Sequence, residues 1–140
     1  MTSKEKITWL NRAKDIDRKI QNKCDEKSVW LSRATQITPT LSDMPKGGQQ
    51  ENKIESAIEK IMQLESEIDA EIDEYVNIKA EVKSAVSMVQ NETYRELLER
   101  RYIRGQKWEK IAVDMNYDYR WVLRLHGKAL QMVEVATKSH

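Results

Sequence analysis

Arg120 and Arg124 stand one helical turn apart, and their type and spacing point to chemistry more directly than any other pair in the chain. A guanidinium is a planar, two-pronged donor that matches the acceptors of guanine in the major groove, and side chains four residues apart share a helix face. Around them lie Tyr119 and Trp121, which can meet a base or the sugar–phosphate wall, and Lys107 and Lys128, point charges suited to phosphate. His126 falls within the same stretch, where it reads as a phosphate contact or a plain surface residue. The chemistry implied is recognition of a polyanion.

Catalytic constellations are thin by comparison. Glu71 with Glu74 and Glu96 with Glu99 form two Glu-x-x-Glu pairs, which resemble the magnesium-binding arrangement of all-helical nucleotide pyrophosphohydrolases. A chain with 23 acidic residues produces such pairs by chance, and Glu71 and Glu74 fall beside an apolar seam where solvated charge is expected. No glycine-rich phosphate loop is present, and the only histidines are His126 and His140. The expectation is a protein that is not an enzyme, with no cofactor, no metal and no small-molecule substrate. The single cysteine, Cys24, excludes an internal disulfide and reads as a half-buried packing residue.

The 140 residues leave room for one ordinary domain, or a small domain with a helical extension. With 34% charged residues, four Gly, two Pro and no Phe, the composition favours long charged helices over strands. No stretch has the roughly 18 to 20 apolar residues of a membrane span, and residues 1–10 lack a signal-peptide core. A soluble, cytoplasmic protein with no membrane partner is expected. The net charge of +1 hides an uneven distribution. Residues 46–90 carry five basic and ten acidic side chains, whereas residues 100–128 carry eight Lys or Arg against Glu109, Asp114 and Asp118, a balance of +5. Such a basic segment is the electrostatic footprint of a polyanion binder.

The elements that must position these residues follow from periodicity. Between residues 52 and 89, positions 54, 58, 61, 65, 68, 72, 75, 79, 82, 86 and 89 step by four and three and are mostly Ile and Val. The spacing predicts one long helix there, with a face broad enough to meet more than one neighbour. The same stepping at 9, 13, 16, 20, 23, 27, 30, 34 and 37 predicts a second long helix over residues 3–36, stopped by Pro39. An antiparallel, coiled-coil-like hairpin over residues 1–90 results, with a loop at 38–51. Charge complementarity sets Lys23 opposite Glu65, Trp30 opposite Ile58 and Ile16 opposite Ile72. A hairpin with little core of its own suggests a homodimer through the long helices. Residues 91–140 read as three shorter helices. Asn91 caps the first and Gly105 ends it, a short helix over residues 107–115 follows, Asn116 makes a left-handed turn, and Asp118 caps a helix from Tyr119 to about Val135. Short helix, tight turn and basic helix is the helix-turn-helix layout.

With those residues placed, the string YRELLERRYIRGQKWEKIAVDMNYDYRWVLRLHGKAL over residues 94–130 resembles region four of bacterial sigma factors, which reads the minus-35 promoter element. Together with the central TLSDMPKGG, nearly the whole chain resembles a family of small regulators from phages of Gram-positive bacteria. The resemblance implies an all-α chain, a long hairpin followed by a three-helix sigma-like helix-turn-helix domain. It also implies sequence-specific binding of double-stranded DNA to regulate phage or prophage genes in a bacterial host. It sets Tyr119, Arg120 and Arg124 at base-contacting positions and Lys107 and Lys128 at backbone-contacting ones, with RNA polymerase as a further partner. Arg100 stands where that pattern commonly has an apolar residue, and Leu123 where it has a polar one. Two other roles fit the same layout. One is a small terminase-like DNA packaging subunit, and the other is an interaction module acting on RNA polymerase or another regulator without reading DNA.

Overall fold

The computed structural model describes residues 1–42 and 48–135, and among them the chain is all-α, with no strand. The described residues form six α-helices: α1 (Ser3–Leu10), α2 (Arg12–Ser42), α3 (Gly48–Ser87), α4 (Glu92–Leu98), α5 (Trp108–Met115) and α6 (Tyr119–Met132). A π-helical turn, Glu99–Ile103, extends α4. No helix of the described residues is long and apolar enough to cross a membrane. The helix expected over residues 3–36 is interrupted at Asn11, where Arg12 Nε takes the Trp9 carbonyl at 2.9 Å. In a continuous helix that carbonyl would accept from residue 13. Pro39 does not end α2, which runs on to Ser42, and α3 already begins at Gly48. A proline inside a helix removes one backbone hydrogen bond and crowds the carbonyl four residues before it, which can kink a helix without ending it. Of the loop expected at 38–51, residues 43–47 lie outside the described residues.

The chain divides into two compact units, one made of Met1–Ala13 and Val76–His140, the other of Lys14–Tyr75. This grouping differs from a cut at residue 90, because the end of α3 shares a core with the short helices. Leu10, Val82, Val86 and Val89 are buried with Leu98, Ala129, Leu130 and Val133 in one apolar cluster. A second cluster, Leu97, Ile111, Ala112, Val122 and Leu125, with Tyr94, Trp108 and Met115 against it, joins α4, α5 and α6. At the N-terminus Thr2 and Glu5 form a reciprocal capping box that satisfies two free amides of α1.

In the unit Lys14–Tyr75, α2 and α3 run antiparallel. Lys23 Nζ lies 2.9 Å from Glu71 and 3.8 Å from Glu67, Lys27 is 3.1 Å from Glu65, and Lys60 is 3.8 Å from Glu26. The expected Lys23–Glu65 pairing is therefore displaced by about one turn, with Lys27 taking Glu65. The cause lies on α3. Between residues 54 and 82 the apolar positions that are buried or half-buried are 54, 57, 61, 64, 68, 75, 78 and 82, with Glu71 half-buried in the same series, while Ile58, Glu65 and Ile72 are exposed. The repeat keeps its period but is rotated by one residue at alternate steps, so Ala57 and Leu64 fill the seam instead of Ile58 and Glu65. Cys24 is free and half-buried.

Candidate nucleic-acid interface

Local chemistry builds the turn between α5 and α6. Asn116 adopts φ 59°, ψ 46°, a left-handed conformation that Asn tolerates better than most residues, and it is the only non-glycine residue with positive φ among those described. The Tyr117 amide then reaches back to the Ala112 carbonyl at 2.9 Å, closing α5. Asp118, in extended conformation, accepts from the Arg120 amide at 3.2 Å and starts α6. Gly105 ends the π-helical turn at φ +70°, a conformation that side chains rarely adopt. Ile111 and Ala112 of α5 meet Val122 and Leu125 of α6, fixing the pair through apolar burial.

The outward face of α6 is the candidate interface. Val122, Leu125, Ala129 and Leu130 are buried, and directly opposite them runs the exposed stripe Arg120, Arg124, Gly127, Gln131, at steps of four, three and four. No acidic residue interrupts α6 from Tyr119 to Met132. The remaining site residues flank the stripe. Tyr119 is 42% exposed, Trp121 40% and Leu123 40%, and the Lys128 ammonium sits 5.2 Å from the Trp121 ring centre, a cation–π contact. Lys107 is exposed at the N-cap of α5 and makes no capping bond with its side chain. Among the described residues Arg104, Lys107, Arg120 and Arg124 have no carboxylate within ion-pair distance, whereas Arg100 and Lys110 are both bound to Asp114 at 3.2 Å.

Gly127 and Gln131 escape attention when the arginines are read alone. The signal for them in the sequence is the continuation of the same stepping beyond Arg124. A glycine inside a helix costs about 0.8–1.0 kcal/mol relative to alanine, so its place at mid-face calls for a reason.

His126 is not a phosphate contact or a plain surface residue. Its ring is half-buried behind the stripe, with Nε2 2.6 Å from the Tyr102 hydroxyl and its centre 4.5 Å from Trp108. Burial, with the Arg101 charge added, lowers its pKa to about 4, so the imidazole is neutral at pH 7. Burial likewise pushes Tyr102 up to about 12, against a smaller opposing effect of Arg101. Arg101 itself covers Trp108 at 4.6 Å and donates to the Gln106 carbonyl at 3.0 Å. Arg100, the residue that departs from the sigma-like pattern, bonds Glu96 at 2.9 Å, Asp114 at 3.2 Å and Gln106 at 3.4 Å, which ties α4 to α5. The π-helical turn thus carries three consecutive side chains that brace the helix pair from behind.

One glutamate of each pair is engaged elsewhere: Glu71 with Lys23 and Glu96 with Arg100. The bond to Glu71 holds the Lys23 ammonium above the usual lysine range. Among the described residues no three His, Cys, Asp or Glu side chains gather as a metal-holding group. Comparison with protein-family models, curated proteins and solved structures returns no match to this chain.

Proposed function

We propose that this protein binds double-stranded DNA sequence-specifically through α6 and regulates transcription of phage or prophage genes, in the manner of sigma region four. The observation that carries the reading is the exposed, acid-free stripe of α6 that bears Arg120 and Arg124, set against a buried face and entered through a left-handed turn. A helix so mounted can enter the major groove with its first turns against base edges. Arg120 and Arg124 read bases, Tyr119 and Trp121 meet bases or the groove wall, and Lys107 and Lys128 hold phosphates. A homodimer through the long helices, supported by the exposed Ile58, Met62 and Ile72 of α3, presents two copies of α6 to a site with two related halves.

Selection of a preferred duplex, followed by titration at several salt concentrations, tests this. Arg120→Ala or Arg124→Ala costs about 1–3 kcal/mol on the preferred duplex and much less on random DNA. Lys107→Ala and Lys128→Ala weaken all duplexes alike and lower the salt slope by about one unit each. Absence of duplex binding at low salt overturns the reading in favour of an interaction module, and bound sites confined to a packaging locus favour the terminase-like role.

A further inference from the structure

Two glycines of the compact unit that contains α6 differ in what their surroundings demand. Gly105 has φ +70°, and the turn needs a glycine there. Gly127 has no such reason. It lies in the middle of the 14-residue α6, and its φ is not positive. Beyond its own helix backbone and its two neighbours, a Cβ at that position would have nothing within 4 Å. The fold therefore gains nothing visible from the missing side chain, yet the helix loses stability by it. What the missing side chain does provide is bare backbone on the outward stripe, between Arg124 and Gln131 and beside Lys128.

We infer that Gly127 is the point where the sugar–phosphate wall of a bound duplex comes closest to the α6 backbone, a steric positioning contact that no cation supplies. The inference rests on the DNA-binding reading above and adds the docking depth. A helix with side chains is about 10–12 Å across, while its Cα atoms lie only about 2.3 Å from the axis. By that difference, a glycine lets a neighbouring surface approach roughly 3 Å nearer than a side chain would. The major groove is about 12 Å wide, so a helix fills it with little to spare. Gly127 is eight residues along from Tyr119, or about 12 Å at 1.5 Å per residue. In a helix whose N-terminal residues meet base edges, Gly127 therefore lies about two turns beyond the base-reading positions. The three cations of α6, with no acid among its residues, select a polyanion over an apolar protein surface as the body that approaches.

The test compares the full-length wild type with Gly127→Ala and Gly127→Leu, on the preferred duplex and on random duplex, by thermal melting and by salt titration. Both variants are expected to melt several degrees higher than the wild type, since alanine and leucine are better helix formers. Both are expected to bind preferred and random duplex at least tenfold more weakly, leucine more so than alanine, with an unchanged salt slope because no charge is lost. Unchanged binding overturns the inference while leaving the DNA reading intact. So does a lower melting temperature, which would show that the fold itself requires the glycine. Loss confined to the preferred duplex moves Gly127 from the wall to the base edges and overturns the assignment. A wild type that binds no duplex overturns the DNA reading and this inference together.

Discussion

His126 makes the stability of the packed helices α4, α5 and α6 dependent on mild acid. In the folded chain its pKa is lowered to about 4 by burial first and by Arg101 second. In the unfolded chain it titrates near the ordinary 6.5. Between those values the unfolded state binds the extra proton, so stability is full above pH 6.5 and falls as the pH drops towards 4. A displacement from 6.5 to about 4, at about 1.36 kcal/mol per unit, sets a ceiling of about 3 kcal/mol. The ring is only half-buried, and solvent screening reduces that to about 1–2 kcal/mol. The corresponding loss in melting temperature is roughly 3–8 °C for a chain of this size. The groups that face the ring are Tyr102 and Arg101 of the π-helical turn and Trp108 of α5. Urea unfolding followed by tryptophan fluorescence at about pH 7.5, 6.0 and 5.0 measures the effect. His126→Gln keeps a polar partner for Tyr102 without titrating. The variant is therefore expected to be less stable than wild type at about pH 7.5 and to lose less on acidification. An identical pH slope in both proteins would refute the reasoning, as would a His126 ring resonance that titrates near 6.5.

Two further perturbations probe the framework. Reversing Lys23 and Glu71 together is expected to be much milder than the sum of the single reversals, whereas the Lys23 and Glu65 reversals add. A double-mutant cycle by thermal melting separates the two registers. Asn116→Gly is expected to preserve stability within about 0.5 kcal/mol, while Asn116→Val costs about 1–2 kcal/mol because a β-branched residue is forced into the left-handed region, as measured by urea midpoints at constant slope.

What the sequence discloses depends on how local the determining physics is. Asn91, Gly105, Asn116 and Asp118 act through their own backbone geometry, so their roles can be read from type and position alone, and the structure has Asn91 and Asp118 as caps and Gly105 and Asn116 at positive φ. The long helices are legible because an apolar period near 3.5, sustained over many turns, matches a helix face and no strand. Their register is not, since apolar residues occupy both Ala57 with Leu64 and Ile58 with Ile72, and only the facing side chains of α2 choose between them. The π-helical turn adds a residue to a helical turn, seen in the Arg104 amide bonding the Glu99 carbonyl five residues back at 2.9 Å. Periodicity cannot foresee such an insertion. The pairing of Tyr102 with His126, 24 residues apart, depends on that insertion and on the packing of α4 against α6.

The exposed stripe of α6 can act as a reading surface only if the helix beneath it is held. Three kinds of contact do this from behind. Val122 and Leu125 fill the cluster shared with α5, and Ala129 and Leu130 fill the cluster shared with the end of α3. The Lys6 ammonium, from α1, donates to the Leu130 carbonyl at 2.9 Å, an acceptor it shares with the Val133 amide at 3.1 Å where the helix ends. Tyr102 holds His126 at mid-helix. With both ends and the middle fixed before any partner arrives, association orders only the exposed side chains and not the helix itself. On the proposed DNA-binding reading, that leaves a greater share of each arginine contact to appear as affinity and as discrimination between bases. The same logic separates the buried half of the motif RLHGKAL from its exposed half: Leu125, His126, Ala129 and Leu130 anchor the helix, and Arg124, Gly127 and Lys128 form the surface it offers.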